Sequence, residues 1–300
     1  MRKLKMKKII SLLLTLIMIF ALAACGNKAA DTSSDTEVSK SQDESDLSQD
    51  KNNAEETKSE DNESQAESDL SYVKGNGKLV IGYTKYAPMN YEDENGELTG
   101  FDTELAIITC EKLGVKPEFV EINWDTKEIE LNAKTIDCIW NGLTITPERQ
   151  QTMEITKPYV KNAQVVLMKK GAAYDSTESL IGKTVVAEQG SVGEETIMAD
   201  ENLKQANYVP KNLQTDCLLE LKSGTADAAV LDLTLAKTMT GEGTNFEDIV
   251  IVDYLAEEDY GVAFRKGSDI CAEVNKIFDE LRADGIMAAL AEKYGLELAE

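Results

Sequence analysis

Asp137-Cys138-Ile139-Trp140-Asn141-Gly142-Leu143-Thr144-Ile145-Thr146-Pro147-Glu148-Arg149 joins a short apolar run to a hydroxyl-bearing turn and ends on an arginine. Ile136 to Trp140 reads as a buried strand, bounded by polar residues on both sides. Pro147 pre-sets a turn before the next strand, and Thr144 and Thr146 offer hydroxyls beside it. Arg149 supplies a planar fork whose geometry matches a carboxylate. Most arginines are surface ion-pair partners, so what surrounds this turn decides its meaning.

Upstream, Lys78 to Tyr83 reads as a strand, Asp102 to Leu113 as a helix stopped by Gly114, Pro117 to Ile122 as a strand and Glu128 to Ala133 as a short helix. Downstream, Val160 to Lys169 is a longer β run. It is followed by strands at Thr184 to Ala187, around Tyr208 and at Ala228 to Leu231, alternating with helices from about Val192 and over Leu213 to Lys222. Tyr260 to Arg265 reads as a last strand, and Ile270 to Leu281 and Ile286 to Tyr294 as helices. This is the βα rhythm of an α/β fold with a largely parallel sheet, used twice without an internal sequence repeat. If the tail completes the first half, the chain crosses between two lobes near Tyr159 to Val165 and near Glu257 to Gly261. Those crossings form a hinge of two segments, and ligands of open α/β sheets bind in the cleft beside the strand ends.

The first seventy residues are of another kind. Arg2, Lys3, Lys5, Lys7 and Lys8 precede an apolar run from Ile9 to Ala24, and Leu22-Ala23-Ala24-Cys25-Gly26 follows the pattern of a lipoprotein box, with Cys25 the lipidated first mature residue. Gly26 to Ser71 holds four lysines against fourteen acids and no aromatic residue, a composition that cannot bury a core. It reads as a disordered acidic tether whose r.m.s. reach is on the order of 35 to 40 Å. The expected organisation is a signal peptide over 1–24, lipidated Cys25 and tether over 25–71, and a folded domain over 72–300. Within that domain lobe 1 takes about 72–160 plus 260–300, and lobe 2 about 161–259.

The chain carries a net charge of −24, of which the five basic residues of the leader and the net −10 of the tether leave −19 on 72–300. So acidic a domain does not seek nucleic acid or anionic lipid. There is no histidine, which removes most zinc sites and any histidine-based triad. Cys110, Cys138, Cys217 and Cys271 are widely spaced among apolar neighbours and read as buried free thiols.

Six segments in order then carry a family resemblance: Gly82-Tyr83-Thr84-Lys85-Tyr86-Ala87-Pro88-Met89-Asn90-Tyr91; Asn95-Gly96-Glu97-Leu98-Thr99-Gly100-Phe101-Asp102; Asp137 with Asn141 to Arg149; Gln189-Gly190-Ser191; Asp227 to Asp232; and Tyr260 to Gly267. Together they resemble the polar amino acid-binding proteins of ABC importers, solute-binding protein family 3, over essentially 72–298. The resemblance implies a two-lobe periplasmic-binding-protein-like fold. It implies that Arg149, with Thr144 and a backbone N–H of Thr144 or Gly142, grips a ligand α-carboxylate, while Asp232 on the other lobe pairs with the α-ammonium. It places Ser191 and Val192 at a helix start that meets the carboxylate on closure, with Val192 standing where the family usually has a hydroxyl. Tyr86 and Trp124 become walls around the ligand side chain; Tyr83, Asn141 and Glu188 face its end; Trp140 stays in the core. The implied function is capture of a polar or basic L-amino acid and delivery to an ABC transporter permease, by a membrane-anchored monomer without catalytic residues, cofactor or metal. A sensing domain acting on a separate signalling partner, or a dehydratase built on the same fold, are the alternative readings.

Overall fold

The computed structural model describes residues 68–300. The signal peptide, Cys25 and nearly all of the tether lie outside the described residues. The first helix, α1 (Asp69–Asn76), begins inside the last residues read as tether, capped by the Ser68 side chain and stopped by Gly77.

In chain order the first lobe then gives β1 (Lys78–Tyr83), the hairpin β2 (Tyr91–Glu92) and β3 (Leu98–Thr99), α2 (Phe101–Leu113), β4 (Lys116–Glu121), α3 (Lys127–Asn132), β5 (Cys138–Thr144), α4 (Pro147–Thr152) and β6 (Met153–Ile155). The second lobe follows with β7 (Val160–Lys169), β8 (Thr184–Glu188), α5 (Val192–Ala199), β9 (Asn207–Lys211), α6 (Gln214–Ser223), β10 (Ala228–Asp232) and α7 (Leu233–Met239). Strand β11 (Ile249–Arg265) returns to the first lobe, which α8 (Ile270–Ala283) and α9 (Ile286–Tyr294) complete.

The main sheet runs β4-β1-β5-β11-β7-β10-β8-β9, with β6 also on β11. Pairing is parallel for β1 with β4 and β5 and for β8 with β9 and β10, as the alternating rhythm requires, while β7 and β11 run antiparallel to their neighbours β10, β5 and β6. The crossings are not loops. β11 runs antiparallel to β7 from Ile249↔Lys169 to Tyr260↔Val160, then continues beside β5 and β6. The hinge is therefore a two-stranded ribbon, and the expected last strand, Tyr260 to Arg265, is only the end of a 17-residue one. Polar residues such as Asp253, Glu257 and Glu258 break the apolar alternation over its first part, which hides the strand from pattern reading.

Helices cover both faces of the sheet, so its central strands are largely buried; all seven residues of β5 are. One continuous core packs α2, α8 and α9 together with α6 and α7 against one face. Smaller clusters around Leu131 and Ile197 cover the other face of each lobe. Trp140 belongs to the large core, fully buried with its ring edge-on to Phe278 at 5.7 Å. Cys110, Cys138, Cys217 and Cys271 are free and buried.

Candidate functional site

The carboxyl ends of β1, β5, β8 and β10 converge on one cavity between the lobes, closed down to about 10 Å³ of free space. From the first lobe it is lined by Thr84, Tyr86, Trp124, Asn141, Gly142, Thr144 and Arg149. From the second come Glu188, Ser191, Val192, Gln214 and Asp232. Ten of the eleven ligand-site residues expected from sequence thus stand around one space.

The arginine reaches the cavity through local chemistry. The segment after β5 is not a bare turn between strands: Thr146 caps α4, its hydroxyl accepting the Arg149 N–H at 3.2 Å, and Pro147 occupies the first helical position, where its missing N–H costs nothing. The guanidinium then folds back on its own turn, donating to the Thr144 carbonyl at 2.9 Å. Its carboxylate neighbour is the half-exposed Glu195 at 3.5 Å, a long contact worth little. Arg149 is only 5% exposed, so its fork stands in the cavity wall without a tight anionic partner among the described residues.

Three expectations change here. The Gly142 N–H is already taken, donating to Asp102 Oδ2 at 2.6 Å, so it is not open to a ligand. The same oxygen accepts the Tyr159 hydroxyl at 2.9 Å, which ties the turn to the hinge. Burial pushes Asp102 up to about 7 against these donors. Asn141 lines the cavity, but its amide is spent inside lobe 1, accepting from the Thr84 hydroxyl and donating to Thr84 O and Asn90 Oδ1. Tyr83 does not reach the cavity; its ring packs edge-on to Phe119 at 6.1 Å. A strand alternates its faces, so when Thr84 just beyond β1 turns inward, Tyr83 is carried away.

Tyr86 and Trp124 both line the cavity. The Tyr86 hydroxyl bonds Tyr260 and Thr234, at 2.5 Å each, and so spans from lobe 1 to lobe 2. Gly142 must remain glycine beside it, because φ is +58° and a Cβ would lie 2.6 Å from the Tyr86 ring. Trp124 is set by Asn123, whose side chain accepts the Asp125 N–H at 2.9 Å. The Lys127 ammonium sits 4.9 Å from the Trp124 ring centroid and donates across the cleft to the Gly190 carbonyl at 2.8 Å. Burial, with Arg149 nearby, pulls Lys127 down to about 8. Sequence reasoning missed Lys127, because a lysine opening a short helix looks like surface.

On the second lobe Ser191 caps α5, accepting the Glu194 N–H at 3.2 Å, and Val192 is its first residue, where backbone N–H groups have no partner within the helix. Asp232 ends β10 and is held by amides: Asn162 at 2.8 Å, Gln164 at 2.5 Å and Gln214, whose Oε1 also accepts the Asp232 N–H at 3.0 Å. Glu188 is buried beside it, and burial first, then the Asp232 charge, raise its carboxyl well above the usual range while Lys127 opposes. Gln214, Asn162 and Gln164 carry no motif, and only the fold brings them to Asp232.

Residues 79–297 match the bacterial extracellular solute-binding proteins, family 3. The chain belongs to that family. Among curated relatives, the arginine-binding extracellular protein ArtP of Bacillus subtilis (strain 168) is 29% identical over 73% of this chain and 87% of its own length. Among solved family structures, that of Tv2483 bound to L-arginine is 29% identical, with a TM-score of 0.72 over 77% of this chain and 96% of that one. The ancestral amino acid-binding protein AncCDT-1, described as a precursor of cyclohexadienyl dehydratase, is 32% identical, with a TM-score of 0.68 over 76% and 99%. No described helix is long and apolar enough to cross a membrane.

Proposed function

We propose that this family member captures a polar or basic L-amino acid between its lobes and delivers it to the permease of an ABC importer, held at the outer face of the membrane by lipid on Cys25. The observation that carries the reading is one cavity lined by Arg149 from the first lobe and Asp232 from the second. Those charges match the two ends of a zwitterion, and because they sit on opposite lobes the ligand favours the closed form. Thr144 and the start of α5 at Ser191 and Val192 complete the carboxylate end.

The side-chain end favours a donor or a cation. Glu188 and Asp232 line the cavity against Arg149, and an aliphatic ligand would leave buried polar groups unpaired at about 1 to 3 kcal/mol each. Tyr86 and Trp124 supply ring surface for an amide or guanidinium. The relatives named for arginine point the same way.

A thermal-shift screen of the twenty amino acids plus cystine tests this. A polar or basic amino acid as the strong hit supports it; aspartate or glutamate alone overturns the ligand class, and no hit overturns amino acid capture. Glu188, whose carboxyl burial and the Asp232 charge raise well above the usual range, is the feature a dehydratase would use as an acid. Turnover of prephenate or arogenate would favour that reading, and recovery of an unchanged amino acid the binding role.

A further inference from the structure

Asp232 does not stand alone. Glu258 lies on β11 two residues before Tyr260, within the ribbon that joins the lobes. Its Oε1 accepts from Asn162 Nδ2 at 2.5 Å, from Gln164 Nε2 at 3.0 Å and from the Thr144 hydroxyl at 3.0 Å. The same two amide nitrogens donate to Asp232 Oδ1. An amide nitrogen has two hydrogens, so both are used, one on each carboxyl, and the two acids are clamped side by side. The second oxygen of Glu258 is buried without a hydrogen-bond partner. Two adjacent carboxylates would repel, and a proton between the carboxyls removes that repulsion. Glu258 also lines a groove of about 940 Å³ on the outside of the hinge, so a proton can leave without passing the ligand cavity.

We propose that Glu258 is a further acid of the ligand site: it shares one proton with Asp232 while the cavity is empty, and the pair releases that proton to solvent when a ligand α-ammonium docks on Asp232. This rests on the amino acid reading above. The exchange balances, since the ammonium brings one positive charge to the pair and one proton leaves it.

Burial and the Asp232 charge hold Glu258 up to about 8, so the empty pair is protonated at neutral pH. The hydroxyls of Tyr86 and Tyr260, which also face the pair, are kept well above their ordinary range by burial and stay neutral. Glu188, Lys127 and Arg149 lie on the cavity side, and Lys161, Lys237, Glu257, Asp259 and Glu297 around the outer groove. Because the ligand lowers a raised acid, affinity rises with pH below about 8, by at most about tenfold per pH unit, and flattens above it.

Calorimetry with L-arginine as the probe, at pH 7 in phosphate and in Tris, counts the protons. The wild type is expected to release up to one proton per ligand that Glu258→Gln, whatever its affinity, does not. No buffer dependence in the wild type, or an equal count in Glu258→Gln, overturns the proposal. Carbonyl-13 carbon NMR of the ligand-free chain decides it without any ligand. A Glu258 midpoint above 7 in the wild type that falls toward the ordinary range in Asp232→Asn supports the pair, and an ordinary midpoint in the wild type overturns it. Absence of heat with L-arginine alongside a raised midpoint strikes at the amino acid reading and leaves the pair standing.

Discussion

The two charged ends of the cavity are built in opposite ways. The Arg149 end is local: Gly142 to Arg149 supplies the strand end, the cap, the helix start and the guanidinium, and Arg149 donates to Thr144 only five residues away. The Asp232 end is assembled from four elements, with Asn162 and Gln164 from β7, Gln214 from α6 and Glu258 from β11 clustered around one carboxyl at the end of β10. A local site depends on one side chain, while an assembled one spreads its hydrogen bonds over several.

That difference is open to measurement, and its largest expression is Arg149→Ala. Removing one partner of a buried charge pair costs about 2 to 5 kcal/mol, or roughly 30- to 4,000-fold in affinity. The fold should persist, since among the described residues the guanidinium bonds only its own turn, Gly190 and Glu195. Calorimetry showing less than a fivefold change would remove Arg149 from the site. At the assembled end, Gln214→Ala takes two bonds from Asp232 but leaves Asn162 and Gln164 in place. The expected loss is about 10- to 30-fold, the low end for bonds to a charged group. A loss as deep as that of Arg149→Ala would mean that Asp232 hangs on Gln214 alone and that the load is not shared.

The same difference decides what could be read without coordinates. The Arg149 end was legible because Thr146, Pro147 and Arg149 are capping and turn chemistry within one segment. β1, β7 and α9 were legible to the residue, since Lys78 to Tyr83, Val160 to Lys169 and Ile286 to Tyr294 are patterned runs with clear stops. Asn162 and Gln164 were not, because on a strand otherwise buried and apolar they look like ordinary polar interruptions, and their partner lies 68 to 70 residues away. The first part of β11 was hidden because a strand that crosses between lobes has no single buried face to impose alternation. Asn141 lines the cavity because of its place on β5, whereas the use of its amide depends on Thr84 and Asn90, 57 and 51 residues upstream.

Closure joins the two ends, and Gly190 sits at a close approach between the lobes. Its φ of +72° already favours glycine, and a Cβ there would lie 2.9 Å from the Asp125 Cα on the other lobe. Gly190→Ala carries two separate costs. Backbone strain of about 1 to 2 kcal/mol falls on both open and closed forms and lowers the melting temperature. The cross-lobe contact exists only when the lobes meet, and an overpacking cost of about 1 kcal/mol there weakens ligand binding about fivefold. Small-angle scattering with saturating ligand should show less compaction than in the wild type. Unchanged affinity with a lowered melting temperature would show that the lobes close without bringing Gly190 to Asp125.

The smallest effect is expected where sequence and geometry part. Tyr83 resembles a ligand-facing residue by its position after Gly82, yet its ring packs on Phe119 and the charges around its hydroxyl are Glu121, Lys85 and Glu92. None of these lines the cavity. Tyr83→Phe keeps the ring and its edge-on contact and removes only the hydroxyl, so affinity for the best ligand should change less than about twofold, within about 0.4 kcal/mol. The melting temperature should hold as well, because burial of the ring, not the hydroxyl, is what fixes this residue. A tenfold loss would mean that the ligand side chain runs out along β1 toward Glu121, outside the cavity bounded by Tyr86 and Trp124. Selectivity would then belong to the edge of the first lobe, with Asp232 and its neighbours reading only the part common to every amino acid.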